Sequence, residues 1–329
     1  MKEIRVFEIS LYPENERAID YYLDIDKEIF NVVWDNDNPQ YLVVVLSHVI
    51  QSKRLFYLFQ KLYNNDRIII FVGDECVYPD MNLCDYAVSY ADDFWCADRT
   101  FRFPLLWVQR KHIQNQFEDF VEFESEYHRR RFCNFIYSNP RSHPNRDNLF
   151  FAINKYKEVE SLGKHLKNRD VPWTRNEKNY FKISTKLKSD YRFSIAAEND
   201  NFIGNTSEKI LSSFYAHSVP IYWGNPKIAK EFNEEAFINC HNYSSVDEVV
   251  DQIQMIDNDI ELWIKKVKTP MYTDEQLQKH NNDVEKYKAF VTRIFSQDFE
   301  DAKRVTLGTA AQDYLNFCIN SIAWKSDVE

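Results

Sequence analysis

Residues 191–224 read YRFSIAAENDNFIGNTSEKILSSFYAHSVPIYWG, and the reading of this stretch decides the fold class. An apolar run, FSIAA at 193–197, passes into a polar, acid-containing loop. A short amphipathic segment follows, and a second apolar run, VPIYWG at 219–224, closes the stretch on glycine. Ile210, Leu211 and Phe214 recur on one helical face. Asn205 is the expected N-cap of that helix, with Glu208 three residues on, where a capping box places a carboxylate. A capped helix packed on a sheet accounts for this pattern in full. The same geometry also suits an anion, because helix N-terminal amides attract phosphate and Lys209 adds a cation. Lysine in a first turn opposes the helix dipole, which favours the second reading.

Outward from this stretch the pattern repeats. IRVFEI (4–9), YLVVVL (41–46), RIIIFVG (67–73) and DYAVSY (85–90) read as strands, with helices expected over 15–30 and 47–65. Runs that are continuously apolar rather than alternating belong to a parallel sheet covered on both faces. A charged helical pattern covers 112–130, and the strand–helix order restarts with a strand at 132–137 and a helix at 146–156. A basic, polar segment spans 161–190, and AFINC (236–240) is a further short strand. Beyond 245 only helical patterns remain, at 245–267, 275–295 and 310–319. The fold class is therefore α/β, two units in series with a helical C-terminal tail. The expected division lies near residue 125, giving domains 1–125 and 126–329.

The chain has 329 residues, 44% hydrophobic and 16% aromatic, enough for a sizeable core. Its formal net charge of −10 argues against general nucleic-acid binding, although a local basic site for a small phosphate remains compatible with it. The six cysteines form no C-x-x-C pair, and the eight histidines do not cluster, so neither a zinc site nor a disulfide framework is expected. The N-terminus alternates like a strand and does not read as a signal peptide. No apolar run approaches a membrane span. A cytoplasmic protein, at most peripheral to the inner face of the membrane, is the expectation. Dehydrogenase, P-loop, zinc-protease and esterase motifs are missing.

Candidate polar residues gather just past the strands, where open α/β sheets bind ligands. Glu198 and Asn199 follow FSIAA; a carboxylate there suits paired sugar hydroxyls, or an ordinary turn. Asn139, Arg141, His143 and Arg146 lie between a strand and a helix, and arginine's planar fork suits phosphate. Asp74 and Glu75 follow Gly73, where a carboxylate could take a proton from a hydroxyl. Asp92-Asp93 and the 35–37 run read as solvated loops rather than chelators.

These residues resemble a known family. YRFSIAAEND…GNTSEKILSSFYAHSVPIYWGNPKIAKEFN is similar to the signature region of the α-1,3-fucosyltransferases, notably the bacterial members. RRFCNFIYSNPRSHPNRDNLFFAINKYKEVESLG resembles the strand–loop–helix opening that family's second domain. RIIIFVGDECVYPDMNLCDYAVSY…DRTFRFPLLW resembles its first-domain block, so the likeness spans about residues 65–245. The resemblance implies a GT-B fold, two Rossmann-like domains facing across a cleft, with acceptor bound by the first and GDP-β-L-fucose by the second. It implies inverting transfer to the 3-hydroxyl of N-acetylglucosamine in an N-acetyllactosamine-type glycan or lipopolysaccharide. No cofactor or essential divalent metal is expected.

Carried over by position, the family's donor-site residues match Arg146, Glu198, Asn199, Glu208 and Lys209. Asn205 stands where the family often has an aromatic. The general base falls on Asp74 or Glu75, because this chain has Gly73-Asp74-Glu75 where the family has a glutamate directly after the glycine; Glu75 is slightly preferred. The bacterial relatives' heptad repeats and basic tail have no counterpart before IAWKSDVE, which suits either a truncated chain or one that meets its acceptor without that anchor. The rival readings are a transferase with a different acceptor, linkage or sugar, and a non-catalytic glycan-binding protein on the same fold.

Overall fold

A computed structural model describes residues 1–14, 17–64, 66–103, 122–171 and 180–305. The chain forms two compact units, Met1–Phe103 with the stretch from Glu285 onward, and Pro104–Val284. The division expected at 125 kept all C-terminal helices with the second domain, whereas residues 285–305 group with the first. The expected helix at 310–319 and most of the pattern at 112–130 lie outside the described residues; from the latter, Phe123–Arg129 is helical.

The first unit holds β1 (Lys2–Ile9), β2 (Phe30–Trp34), β3 (Tyr41–Val45), β4 (Ile68–Gly73), β5 (Tyr86–Ser89) and β6 (Thr100–Arg102). They form one parallel sheet in the order β2-β1-β3-β4-β5-β6. The apolar runs in β3 and β4 are buried at every position, as strands covered on both faces must be. The helix expected over 15–30 is much shorter. A five-residue turn, Ile19–Leu23, buries Ile19, Tyr22 and Leu23 and ends at Asp24, whose φ of 46° is left-handed. The chain then enters β2, an edge strand whose aromatic and β-branched residues favour extension. The helix expected at 47–65 is two, Leu46–Gln51 and Lys53–Leu62, because Ser52 is extended and caps the second by accepting from Leu55 N–H.

Aromatic packing explains why the late residues join this unit. In the helix Asp274–Ser296, Phe295 meets Phe30 and Tyr41, Phe290 meets Tyr86 and Phe101, and Tyr287 donates to the Tyr22 carbonyl at 2.6 Å. Buried Asp85 accepts from Ile69 N–H, the Lys303 ammonium and the Arg304 and Val305 amides. A carboxylate so placed ties residues 303–305 to the end of a core strand.

The second unit holds β7 (Arg131–Phe135), β8 (Val159–Ser161), β9 (Tyr191–Ala197), β10 (Val219–Trp223) and β11 (Ile238–Asn239). These are parallel in the order β11-β10-β9-β7-β8. The crossover from β9 to β10 carries the helix Glu208–Tyr215, so the strand, helix and strand expected within 191–224 are all present. The pattern at 245–267 is two helices, Val246–Asp257 and Ile260–Lys268, because Asp259 accepts from the Glu261 and Leu262 amides and starts a new one. Trp263 is fully buried and donates to the Arg192 carbonyl, while Arg192 pairs with buried Asp257 at 2.6 Å.

Gly163 follows β8 where the chain meets Tyr137. A Cβ there would lie 1.9 Å from the Tyr137 carbonyl oxygen, inside a backbone contact that cannot yield. Gly163→Ala is expected to cost about 3 kcal/mol through overpacking, read as a lower urea midpoint at unchanged m-value. An unchanged midpoint would show that the two backbones separate freely.

Among the described residues no helix is long and apolar enough to cross a membrane. The thiols of Cys84, Cys133 and Cys240 are pushed upward by burial, as expected of cysteines packed as small apolar groups.

Candidate functional site

In each sheet the strand order reverses beside its first strand, between β1 and β3 and between β7 and β9. Crevices past the carboxyl ends at such switch points are where open α/β sheets bind ligands. The predicted residues gather at both.

In the second unit, β9 ends at Ala197 and delivers Glu198 into the protein rather than to solvent. Its carboxylate, 1% exposed, accepts from Ser207 N–H at 2.9 Å and from Ser207 Oγ at 2.9 and 2.8 Å. It also accepts from Lys209 Nζ at 2.8 Å. These bonds set the helix entry and its lysine. Burial alone would lower Lys209, but the charges of Glu198 and Glu208 outweigh it and hold the ammonium above its ordinary range. The lysine that opposes the helix dipole is therefore fixed as a cation by a carboxylate at the end of the preceding strand.

The N-cap is Ser207, not Asn205. Ser207 is extended and its hydroxyl accepts from Lys209 N–H, which makes Glu208 the first helical residue. Glu208 is half-buried in the first turn, and its charge acts on Lys209. Asn205 is buried in the preceding loop. That loop is pinned by Asn225, which sequence reading missed. Buried Asn225 accepts from Gly204 N–H at 2.9 Å and donates to Thr206 Oγ1 at 3.1 Å. Gly224, at φ +153°, makes room for Glu198: a Cβ would stand 2.4 Å from its Cγ. The signal available in the sequence was glycine directly after an apolar run, which marks a close approach.

Arg146 belongs to the helix Pro144–Tyr156, which is capped by His143. Its guanidinium is buried, lies 4.5 Å over the Tyr137 ring, and donates to the Asn139 carbonyl and to Asn199 Oδ1 at 3.4 Å. Its Nε is buried with no hydrogen-bond partner among the described residues. Burial pushes the guanidinium below its ordinary range, with Tyr137 and Asp147 opposing. Tyr137 in turn shares its one O–H between the Ile195 and Ala197 carbonyls and accepts from Ala197 N–H at 2.7 Å. The ring therefore joins the Arg146 cluster to the strand end that presents Glu198. His143 packs on Trp223 with ring centres 4.7 Å apart, and its amide donates to the Asn199 carbonyl at 2.8 Å. Arg141 is exposed.

In the first unit the residues after three strands converge. Tyr12 follows β1, His48 follows β3 and Asp74 follows β4. Tyr12 donates to Asp74 Oδ2 at 3.1 Å and lies 3.1 Å from the Tyr22 hydroxyl. The Asp74 side chain is 5% exposed, and its Oδ1 is buried without a hydrogen-bond partner among the described residues. His48 Nδ1 accepts from Leu11 N–H at 2.9 Å, so in the neutral ring the proton sits on Nε2, which faces Asp74 Oδ2 at 3.9 Å. Burial lowers His48 against the pull of Asp74 and Glu8, which keeps the imidazole neutral near pH 7. Burial and then the Asp74 charge push the Tyr12 phenol up. Glu75, the next residue, is exposed. Neither Tyr12 nor His48 was legible as a site residue, because their approach depends on the order β1-β3-β4 across the sheet.

Asp35 accepts from the Asp37 and Asn38 amides and so closes a turn, and Asp93 accepts from the Tyr78 hydroxyl at 2.8 Å. Among the described residues, no group of three His, Cys, Asp or Glu side chains is set to hold a metal ion.

Residues 127–269 match the family model described as glycosyltransferase family 10 (fucosyltransferase), C-terminal. An α-(1,3)-fucosyltransferase of Helicobacter pylori is 28% identical over 226 residues, 59% of this chain and 45% of the relative. A putative fucosyltransferase of Acanthamoeba polyphaga mimivirus is 32% identical over 146 residues, 43% of this chain and 24% of the relative. The chain thus spans less than half the length of these curated relatives. A solved structure of an α1,3-fucosyltransferase with GDP-fucose matches with a TM-score of 0.64 at 19% identity, over 88% of this chain and 91% of the other. That likeness and the two parallel sheets give the fold as GT-B-like, two Rossmann-type units with C-terminal helices.

Proposed function

We infer that this chain, a fucosyltransferase-family member related to the bacterial α-1,3-fucosyltransferases, transfers L-fucose from GDP-β-L-fucose to a glycan hydroxyl with inversion. The observation that carries this reading is the helix entry of the second unit, where Lys209, fixed by Glu198, and buried Arg146, held by Tyr137 and Asn199, place two cationic side chains beside a sheet switch point. It lies within the segment that matches the fucosyltransferase model.

In the mechanism we propose, an acceptor hydroxyl attacks C1 of fucose as the bond from C1 to the diphosphate oxygen breaks. The hydroxyl proton passes to a carboxylate of the first unit, and GDP leaves. Arg146, Lys209 and the amides opening the helix Glu208–Tyr215 stabilise the negative charge that grows on the diphosphate, a preorganised electrostatic effect. Glu208 binds fucose hydroxyls or faces the positive charge developing on its ring. Asn199 and Asn205 line the nucleotide-sugar, and Glu198 acts on it through Ser207 and Lys209.

For the base we favour Asp74 over Glu75. Asp74 is enclosed by Tyr12 and His48 and has one carboxylate oxygen that no described protein group satisfies, whereas Glu75 is exposed. A general base has to be held in place beside the hydroxyl it serves, and the described side chains orient Asp74. The acceptor we propose is N-acetylglucosamine O3 in an N-acetyllactosamine-type glycan, free or on lipopolysaccharide, met in the cytoplasm or at the inner face of the membrane. With no divalent ion in the scheme, the charge on the leaving group falls to Arg146 and Lys209.

GDP release from GDP-fucose, with and without N-acetyllactosamine and in the presence of EDTA, tests the reading. Acceptor-dependent release that survives EDTA is expected, and Lys209→Ala is expected to lower it by about 10²–10³-fold, as for loss of one charge-stabilising donor. Release that requires added metal, or no GDP-fucose binding at all, would end this reading.

A further inference from the structure

Lys188 closes the helix Tyr180–Lys188 and is 5% exposed, yet the mechanism above gives it no role. Its ammonium donates to the Lys209 carbonyl at 2.9 Å, to Ser212 Oγ at 2.6 Å and to Ser213 Oγ at 3.0 Å. All three acceptors lie on the helix Glu208–Tyr215, whose first turn carries Glu208 and Lys209. The same lysine lines a recess with Tyr137, Tyr180, Glu208 and Lys209. A buried amine that spends every N–H on one neighbouring helix is an unusual way to join two helices, because an apolar side chain would do so without a buried charge.

The groups facing Lys188 define its charge balance. From the helix 208–215 come Glu208, which favours the ammonium, and Lys209, which opposes it. From the end of β9 comes Glu198, whose carboxylate is engaged by Lys209. The phenols of Tyr137, past β7, and Tyr180, on its own helix, complete the recess. Burial outweighs these charges and pushes Lys188 down to about 7.

We propose that Lys188 is a positioning residue that couples binding of the nucleotide diphosphate to uptake of a proton. Its charged form holds the helix entry at Lys209 with three N–H donors and strengthens the positive field there; its neutral form has lost the charge and one donor. The inference rests on the nucleotide-sugar reading of the site. A diphosphate beside Lys209 adds negative charge near Lys188 and so favours its protonated form. By linkage, protonated Lys188 favours the diphosphate by the same factor. Affinity is then full on the acidic side, falls as pH rises through the free lysine's range, and levels off above the range of the complex.

The test is calorimetry of GDP-fucose binding to the intact protein in buffers of different ionisation enthalpy. This ligand's diphosphate is a diester that does not titrate across the range used. Net proton uptake is expected near neutral pH, with binding several-fold weaker at about pH 8.5 than at about pH 6. Lys188→Arg, which cannot discharge, is expected to keep the acidic-side affinity at every pH without proton uptake. Lys188→Met is expected to bind weakly at every pH, again without uptake. Tight wild-type binding with flat affinity and no uptake overturns the proposal, as does uptake that persists in Lys188→Met. No GDP-fucose binding at any pH overturns the nucleotide-sugar reading and this proposal with it.

Discussion

Asp74→Asn is expected to abolish fucosyl transfer while GDP-fucose still binds. The substitution keeps the shape of the side chain and its hydrogen bond from Tyr12, but removes the charge that takes the acceptor proton. Loss of a positioned general base costs about 10²–10⁴-fold in rate. Glu75→Gln, by contrast, should change the rate little, since that side chain is exposed. Steady-state kinetics of both variants, with calorimetric titration of GDP-fucose, would decide. A dead Glu75→Gln beside an active Asp74→Asn would reverse the assignment. His48→Ala offers an internal check: the ring is held by Leu11 N–H and faces Asp74, so its removal should lower kcat and shift the pH profile without altering KM for the sugar nucleotide.

A large loss of stability, of the same order as that of Gly163→Ala, is expected from Glu198→Ala. Its carboxylate is the buried partner of Lys209 and the acceptor for Ser207, so truncation leaves an ammonium and a helix cap without their anion. Breaking one side of a buried pair typically costs about 3–5 kcal/mol. Lys209 keeps some exposure, 22% of its side chain, which argues for about 3 kcal/mol. For a unit of this size that corresponds to a fall in Tm of roughly 6–12 °C. The double variant Glu198→Leu with Lys209→Met should regain much of the stability, since a well-packed apolar pair can replace a buried ion pair, but none of the activity. Should the double variant regain activity too, Lys209 would have no part in charge stabilisation.

Much of this architecture was legible because apolar periodicity is a local property. The buried runs at 41–46, 67–73, 193–197 and 219–224 identify parallel strands wherever they occur, and Asp74, Arg146, Glu198 and Lys209 stand beside strand or helix ends in the sequence itself. Elements with mixed patterns were harder. The edge strand Phe30–Trp34 is half exposed and lacks a continuous apolar signature, and apart from Phe30, the last residue of an expected helix, it was given no element. The cap moved from Asn205 to Ser207 because both residues suit the position, and only the hydrogen bonds of Glu198 choose between them.

The sequence by itself determined the fold class, the strand ends that carry chemistry and the family resemblance. Tertiary structure alone decided which groups each side chain meets there. Glu198 stands past a strand end in the sequence, and only the fold brings Ser207 and Lys209 onto its carboxylate. Asp74 and Glu75 are equivalent in the chain, and the approach of Tyr12 and His48 from neighbouring strands encloses one of them. Lys188 is one of several lysines in a basic segment until burial against Ser212 and Ser213 sets it apart. Periodicity encodes which face of an element is apolar. Which charges meet depends on strand order and helix packing, and these bring Tyr12 to Asp74 across 62 positions of chain.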